Sequence, residues 1–382
     1  MNAVVVHGGG PTAVINASLV GIVDEARRHA GIRSVLGARF GIEGLIGERL
    51  VDLSSLGAGD LAAVGRSSSS AIGTSRRAAT PTDIERVLAV CRARGIRCVF
   101  YTGGNGSMGT ARQIAAAASH AGQPLAVIGV PKTIDNDLAG TDHAPGYASA
   151  ARFFAHAARD IAADNRALPA QVQILEVLGR NSGWIAAATS VVRRDPHDGP
   201  HLIYLPERPL PLRRLLDDVQ RVFDRLGRCV VVVCEGQLDD DGEPFGADVR
   251  RSSGKPLAMN LAHQLALLVT GRLALKARGE KPGLAGRAST ALRSDVDWHE
   301  ARLCGQAAVR AALQDASGVM VTLEREPGPA YSVGTGLIAL ERVDGVERRF
   351  PEKWLGADGT IAPVFQEWIA PLIGEIDGSV WL

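Results

Sequence analysis

Short apolar runs alternate along the chain with longer segments whose apolar positions recur every three or four residues. Ala3–Val6, Arg97–Tyr101, Leu125–Val130, Val172–Val177 and Val230–Cys234 are runs of the first kind, with Ser34–Ala38 and Leu202–Leu205 as weaker examples. Such runs, bounded by glycine or polar clusters, predict buried strands. Ala13–Ala30 carries Ile15, Leu19, Ile22, Val23 and Ala26 at helical spacing. Ile84–Arg94 is amphipathic. Helices are also expected over Thr110–His120, Ala148–Ala163, the residues leading to Val191, and Leu212–Leu226. From about Val319 the pattern predicts short strands and turns. Repeated strand–loop–helix units of this kind predict an α/β fold with mostly parallel sheets flanked by helices.

The loops at the ends of these runs carry the chemistry. They are GGGPT (8–12), GGNGS (103–107), PKTIDND (131–137), LGRNSG (178–183) and CEG (234–236). In open α/β sheets ligands bind beyond the carboxyl ends of strands, so five such loops predict one cleft. Glycine where a strand turns into a helix lets backbone N–H groups approach an anion, which the helix dipole also favours. The plainer reading of each glycine loop is a tight turn. GGGPT is neither a P-loop nor a GxGxxG fingerprint. Asn105 offers a carbonyl oxygen to a hard cation, or serves as an Asx-turn residue.

GVPKTIDNDLAGTD (129–142) places three aspartates, two threonines and a lysine directly after a buried strand. Asp135 and Asp137 alternate, so an extended backbone would put them on one side. One carboxylate would accept a proton from a substrate hydroxyl and the other would bind Mg²⁺, the division of labour that phosphoryl transfer requires. Lys132 adds a cation, and Asp142 is read as an N-cap. Arg180 suits phosphate or transition-state charge, and Glu235 suits sugar hydroxyls. The alternative readings are a solvated acidic loop and structural ion pairs.

Composition narrows the classes. The chain has 382 residues, with 42 basic and 41 acidic side chains and a formal charge of +1. Its length fits two domains, and the balanced charge argues against a nucleic-acid partner. The five cysteines form no CxxC pair, which fits a reducing cytoplasm better than a zinc or disulfide framework. MNAVVVHGGG lacks a charged n-region and a cleavage site, so no leader is expected. No apolar stretch approaches the ~20 residues that span a bilayer. RSSSSA (66–71) is a short low-complexity tract, and Leu238–Lys255 reads as an exposed polar loop.

The set GGGPTAVINAS, GTSR, GGNGS, PKTIDND, LGRNSGW and CEG, in this order and spacing, resembles the phosphofructokinase family from residue 4 to about residue 300. The overall pattern is most similar to a bacterial diphosphate-dependent branch. The resemblance implies two α/β domains with a cleft between them: 1–145 for the donor, completed by part of 285–340, and 146–284 for the acceptor, with 341–382 as a C-terminal extension. It implies Mg²⁺-dependent transfer from ATP or diphosphate to the 1-hydroxyl of fructose 6-phosphate, in a dimer or tetramer whose acceptor residues sometimes cross the subunit interface. Asp135 matches the base, and Arg180, Lys132 and Thr133 match groups around the transferred phosphoryl. Gly9, Arg76, Gly104, Asn105, Gly106 and Ser107 match the donor loops. Thr133, Asp137, Leu178, Gly179, Arg180, Glu235, Arg278 and Arg287 match the acceptor site, and Asn105 with Asp137 the metal side.

Three departures from the family pattern involve four positions. Asn105 stands where Asp is usual, although the diphosphate branch also shows Asn. Gly106 leaves room for a nucleotide and makes ATP the expected donor, with diphosphate, which the overall resemblance favours, as the alternative. Gln171 and Leu284 replace a basic residue and a His or Tyr in the acceptor-phosphate region, and each lost charge-assisted bond costs about 1.5–3 kcal/mol. The acceptor is then fructose 6-phosphate, a related sugar phosphate or a polyol. Two further classes stay open: a non-catalytic sensor of nucleotide or sugar phosphate, and an unrelated dehydrogenase, against which the lack of GxGxxG after the first strand counts.

Overall fold

The computed structural model describes residues 1–243, 245, 249–250, 256–257, 260–356, 359–378 and 380. Its strands are β1 (Asn2–His7), β2 (Ser34–Ala38), β3 (Leu50–Asp52), β4 (Ile96–Gly103), β5 (Ala126–Pro131), β6 (Val172–Val177), β7 (Leu202–Tyr204), β8 (Cys229–Cys234), β9 (Val249–Arg250), β10 (Pro256–Leu257), β11 (Ala277–Glu280), β12 (Val319–Arg325) and β13 (Val333–Ala339). The chain divides into two compact units, Met1–Tyr147 with Ala288–Arg348, and Ala148–Arg287 with Arg349–Leu382.

The first unit is built on a seven-stranded sheet of order β13-β12-β5-β4-β1-β2-β3. Its interior pairings are parallel, and β3 and β13 close the edges antiparallel. Side chains of a strand alternate between faces, so the uninterrupted run Ala3–Val6 feeds two cores. Ala3 and Val5 pack with Leu19, Ile22, Cys304 and Ala308 on one face. Val4 and Val6 pack with Ile84, Val87, Ala111 and Ile114 on the other. The helices are thereby assigned: Ile15–Ala26 and Asp295–Leu313 to one face, Pro81–Ala93 and Asn105–His120 to the opposite one. Thr80 and Asp83 form a reciprocal capping box that starts Pro81–Ala93, with proline in its first turn.

The second unit holds the all-parallel sheet β11-β6-β8-β7. Leu215, Val219, Leu265 and Val269 of the helices Leu212–Leu226 and Leu261–Leu273 cover it. Residues after 349 add an aromatic cluster in which Trp184 meets Phe350, Trp354, Phe365 and Trp368, with ring centroids 5.1–6.3 Å apart.

Several elements differ from the pattern reading. The helix expected at Thr110 begins at Asn105, so GGNGS supplies its first turn. Asp142 is not an N-cap; its carboxylate pairs with His143 and Arg325. The tail holds a helix, Pro363–Ile373, which Pro371 inside it masks in sequence. Asp295–Leu313 buries Ala301, Cys304, Gly305, Ala307 and Ala308, residues too small to give a strong apolar stripe. Leu238–Lys255 lies partly outside the described residues; within them Phe245 is buried and β9 pairs with β10. Among the described residues no helix is long and apolar enough to cross a membrane.

Candidate active site

Three of the five loops leave the carboxyl ends of adjacent strands in the first unit: GGGPT after β1, GGNGS across the end of β4, and PKTIDND across the end of β5. They are locked into one piece. A Cβ on Gly8 would lie 2.2 Å from Ser107 Oγ, so only glycine lets the first loop pack on the second. Lys132 is buried, and its Nζ donates to the carbonyls of Gly8 at 2.9 Å and Gly10 at 2.7 Å. The Lys132 N–H donates to Gly103 O at 3.1 Å. Beneath them His7 is fully buried, and burial together with the Lys132 charge holds its pKa down to about 3. The GTSR loop joins the group, because Gly9 N–H donates to Ser75 O and Thr74 Oγ1 donates to Gly9 O, each at 2.8 Å. Arg76 follows, exposed.

The acidic loop is not an extended strand. Asn136, between the two aspartates, is left-handed at φ 53°, and its Oδ1 accepts from Ala144 N–H at 3.0 Å. Simple alternation therefore does not set the positions of Asp135 and Asp137; Thr133 contacts both residues. Its Oγ1 accepts from Asp135 N–H at 3.1 Å, and its hydroxyl favours ionised Asp137. Asn105 Nδ2 donates to Asp137 Oδ2 at 3.0 Å. Burial raises the Asp137 pKa, and the Thr133 and Asn105 hydrogen bonds offset part of that rise.

Asn105 Oδ1 and Asp137 Oδ1 are buried acceptors with no hydrogen-bond partner. Two such acceptors on hydrogen-bonded side chains fit Mg²⁺, which takes few protein ligands and completes its shell with water and substrate phosphate. Among the described residues no group of three or more His, Cys, Asp or Glu forms a metal cage. Asn105 and Gly106 also open the 16-residue helix Asn105–His120 without a side-chain cap. Their N–H groups suit a phosphate.

The other two loops leave β6 and β8, neighbours in the second unit. They too interlock. A Cβ on Gly236 would lie 1.7 Å from Arg180 O, and Glu235 N–H donates to Val177 O at 2.9 Å. Leu178 is buried, Gly179 has φ 131°, and Arg180 is exposed in a left-handed conformation at φ 36°. A non-glycine residue held this way costs on the order of 1–3 kcal/mol and concentrates at functional sites. Glu207 braces the loop by accepting from Gly183 N–H at 2.9 Å and Phe350 N–H at 2.8 Å.

The acceptor-phosphate residues do not gather at that rim. Arg278 on edge strand β11 pairs with Gln173, in the amino half of β6. Gln171 precedes β6, buried, with its Nε2 donating to Leu168 O. Gln173 to Val177 spans about 13 Å of strand, and Arg180 lies beyond. Gln171 is thus not a lost contact at its own rim; it lies with Arg278 at the far end of the sheet. Arg287 sits in the short helix Ala285–Ala288, and Leu284 is exposed.

Pattern reading missed other residues of the first unit. Phe40, exposed at φ 61°, lies against Gly73 of the GTSR loop; an aromatic before Gly41 at a strand end is its sequence signal. His143, Glu300 and Arg348 contact the acidic loop or its continuation from places no local pattern connects.

Comparison with known proteins identifies the family. The family model described as "Phosphofructokinase" matches residues 2–324. A pyrophosphate–fructose 6-phosphate 1-phosphotransferase of Rhodospirillum rubrum is 38% identical over 97% of this chain and 94% of its own. A sulfofructose kinase of Alkalicoccus urumqiensis is 32% identical over 98% and 96%. The crystal structure of a pyrophosphate-dependent phosphofructokinase from Marinobacter aquaeolei superposes with a TM-score of 0.89 at 32% identity, over 100% of this chain and 93% of that one. The chain belongs to the phosphofructokinase family, as a phosphotransferase of the 6-phosphofructokinase class.

Proposed function

We propose that this enzyme transfers a phosphoryl group from diphosphate to the 1-hydroxyl of fructose 6-phosphate. The observation that carries the chemistry is the single assembly of Lys132, the two glycine loops and the Asp135–Asp137 loop at adjacent strand ends. Asp135 takes the proton of the 1-hydroxyl as its oxygen bonds to phosphorus; the bridging P–O bond of the donor breaks and phosphate departs. The transition state spreads negative charge over the transferring group. Lys132, Arg180 and the N–H groups of Asn105 and Gly106 offset that charge. Glu235 and Arg287 orient the sugar. Asn105 and Asp137 would hold Mg²⁺, which supplies charge neutralisation on the donor phosphates.

For the donor, the pyrophosphate-dependent relative and the similar crystal structure outweigh the Gly106 argument. ATP is the second reading. Gly106 is exposed with no atom within 4 Å of where a Cβ would stand, and exposed Phe40 beside the GTSR loop offers a face for a base. Incubation with Mg²⁺, fructose 6-phosphate and either diphosphate or ATP is expected to give fructose 1,6-bisphosphate with diphosphate; product from ATP alone would establish the second reading. Sulfofructose belongs in the same assay, because one relative is named for it and Leu284 removes a donor to a phosphate.

The position of Arg278 supports a shared acceptor site, in which this residue serves a second copy of the chain. Arg278→Ala is expected to raise KM for fructose 6-phosphate with little change in kcat. Mixing Asp135→Ser and Arg278→Ala chains through dissociation and reassociation should regain activity, since one site of a mixed pair then has both residues. Unchanged low activity after verified mixing would sink the shared site.

A further inference from the structure

The loop that carries Asp137 is clasped by a segment from far along the chain. Leu138 forms an antiparallel bridge with Glu347. Arg348 N–H donates to Asp137 O at 2.8 Å. The Arg348 guanidinium donates to Thr141 O at 2.9 Å and also to Asp142 O, 207 and 206 positions earlier in sequence. One residue thus holds three carbonyls across Asp137–Asp142, a stretch that turns through Gly140 at φ 78°. On the other side of the loop, Asn105 holds the Asp137 carboxylate at 3.0 Å and leaves one oxygen of each side chain without a hydrogen bond.

We propose that Arg348 is a positioning residue for phosphoryl transfer, fixing the Asp137–Asp142 backbone so that Asp137 Oδ1 and Asn105 Oδ1 face one divalent cation. The Arg348 main-chain N–H fixes Asp137 O whatever the side chain, and the guanidinium fixes the other end of the same turn at Thr141 O and Asp142 O, so the side chain sets how the carboxylate-bearing turn closes. The charge suits the role as well: the guanidinium is attracted to Asp142, at the end of the loop it holds. Burial draws the Arg348 pKa down, yet arginine stays protonated in proteins. A lysine would keep the charge but replace the guanidinium, whose Nη1 reaches both carbonyls, by a shorter ammonium. Residues that orient ligand side chains in this manner typically affect metal affinity or activity about 10- to 100-fold.

The proposal rests on reading Asn105 and Asp137 as cation ligands, so the test includes that pair. Mn²⁺ binding would be followed by electron paramagnetic resonance with methylenediphosphonate in place of the donor, beside kcat and KM. Asp137→Asn is expected to abolish most Mn²⁺ binding; parent-like binding would overturn the cation reading itself. With that established, Arg348→Ala should weaken Mn²⁺ binding about 10-fold or more, lower kcat similarly, and leave KM for fructose 6-phosphate within about twofold. Arg348→Lys should fall between Arg348→Ala and the parent. A folded Arg348→Ala protein with a lower melting temperature but parent Mn²⁺ affinity would reduce Arg348 to a structural staple and overturn the proposal. If Arg348→Ala does not fold, Arg348→Lys decides: weaker Mn²⁺ binding supports the role, and parent affinity overturns it.

Discussion

Replacing Asp135 by serine is expected to lower kcat by about 10²–10⁴-fold, the usual contribution of a positioned general base. The expectation follows from where Asp135 stands. Its N–H is bonded to Thr133 Oγ1, which places it in the same turn as Lys132 and one residue from the left-handed Asn136. Asp135 is half-buried, so substrate reaches it. Serine keeps the backbone and a small polar side chain, so the fold should persist, while no group of suitable basicity remains to take the hydroxyl proton. KM for fructose 6-phosphate should change far less than kcat, since the proton moves only as the transition state forms. Steady-state kinetics beside a thermal melt would test this; a folded Asp135→Ser protein with parent kcat would remove Asp135 from the mechanism.

The second large effect concerns stability. His143 is fully buried between two carboxylates, Nδ1 at 2.9 Å from Asp142 Oδ2 and Nε2 at 2.6 Å from Glu300 Oε2. Tyr331 donates to Glu300, and Arg325 pairs with Asp142 at 3.2 Å. Burial pushes the imidazole pKa down, but the hydrogen bonds and charges of Asp142 and Glu300 outweigh it and bring it up to about 9. A group raised in the folded state binds its proton more tightly there than in the unfolded chain. Its stabilisation is therefore complete below the unfolded value of about 6.5, shrinks between there and pH 9, and is lost above. His143→Ala should cost about 3–5 kcal/mol at pH 6, the usual penalty for removing one partner of a buried pair, and much less near pH 10. Urea unfolding of both proteins at several pH values would show it; a pH-independent difference would contradict the charged clamp.

Legibility in the sequence followed a simple divide. Parallel strands buried on both faces give apolar runs with no polar break, so β1, β4, β5, β6 and β8 could be read directly, and the motif-bearing loops followed from their ends. Elements built from small residues or containing proline, such as Asp295–Leu313 and Pro363–Ile373, left too weak a pattern. Within the site, Lys132, Thr133, Asp135 and Asp137 were legible because one loop carries all four. The geometry of that loop was not: alternation suggested an extended strand, whereas Asn136 is left-handed and the Thr133 hydroxyl accepts from Asp135 N–H. Gln171 had the opposite fault. Its identity marked it as a departure, and its place before β6 shows that it does not face the Arg180 rim of its own unit.

The sequence by itself determined the fold class, the order of the strands along the chain, the phosphoryl-transfer motifs and the family, because each depends on residue types at short spacing. Only the tertiary structure decided what those motifs touch. Lys132 holds the glycine loop by carbonyls more than 120 positions away, Arg348 clasps a loop more than 200 positions away, and His143 meets Glu300 at a separation of 157. These contacts exist because a parallel sheet brings distant segments side by side while its hydrogen bonds fix their register. No local pattern records which carbonyl a distant cation will find.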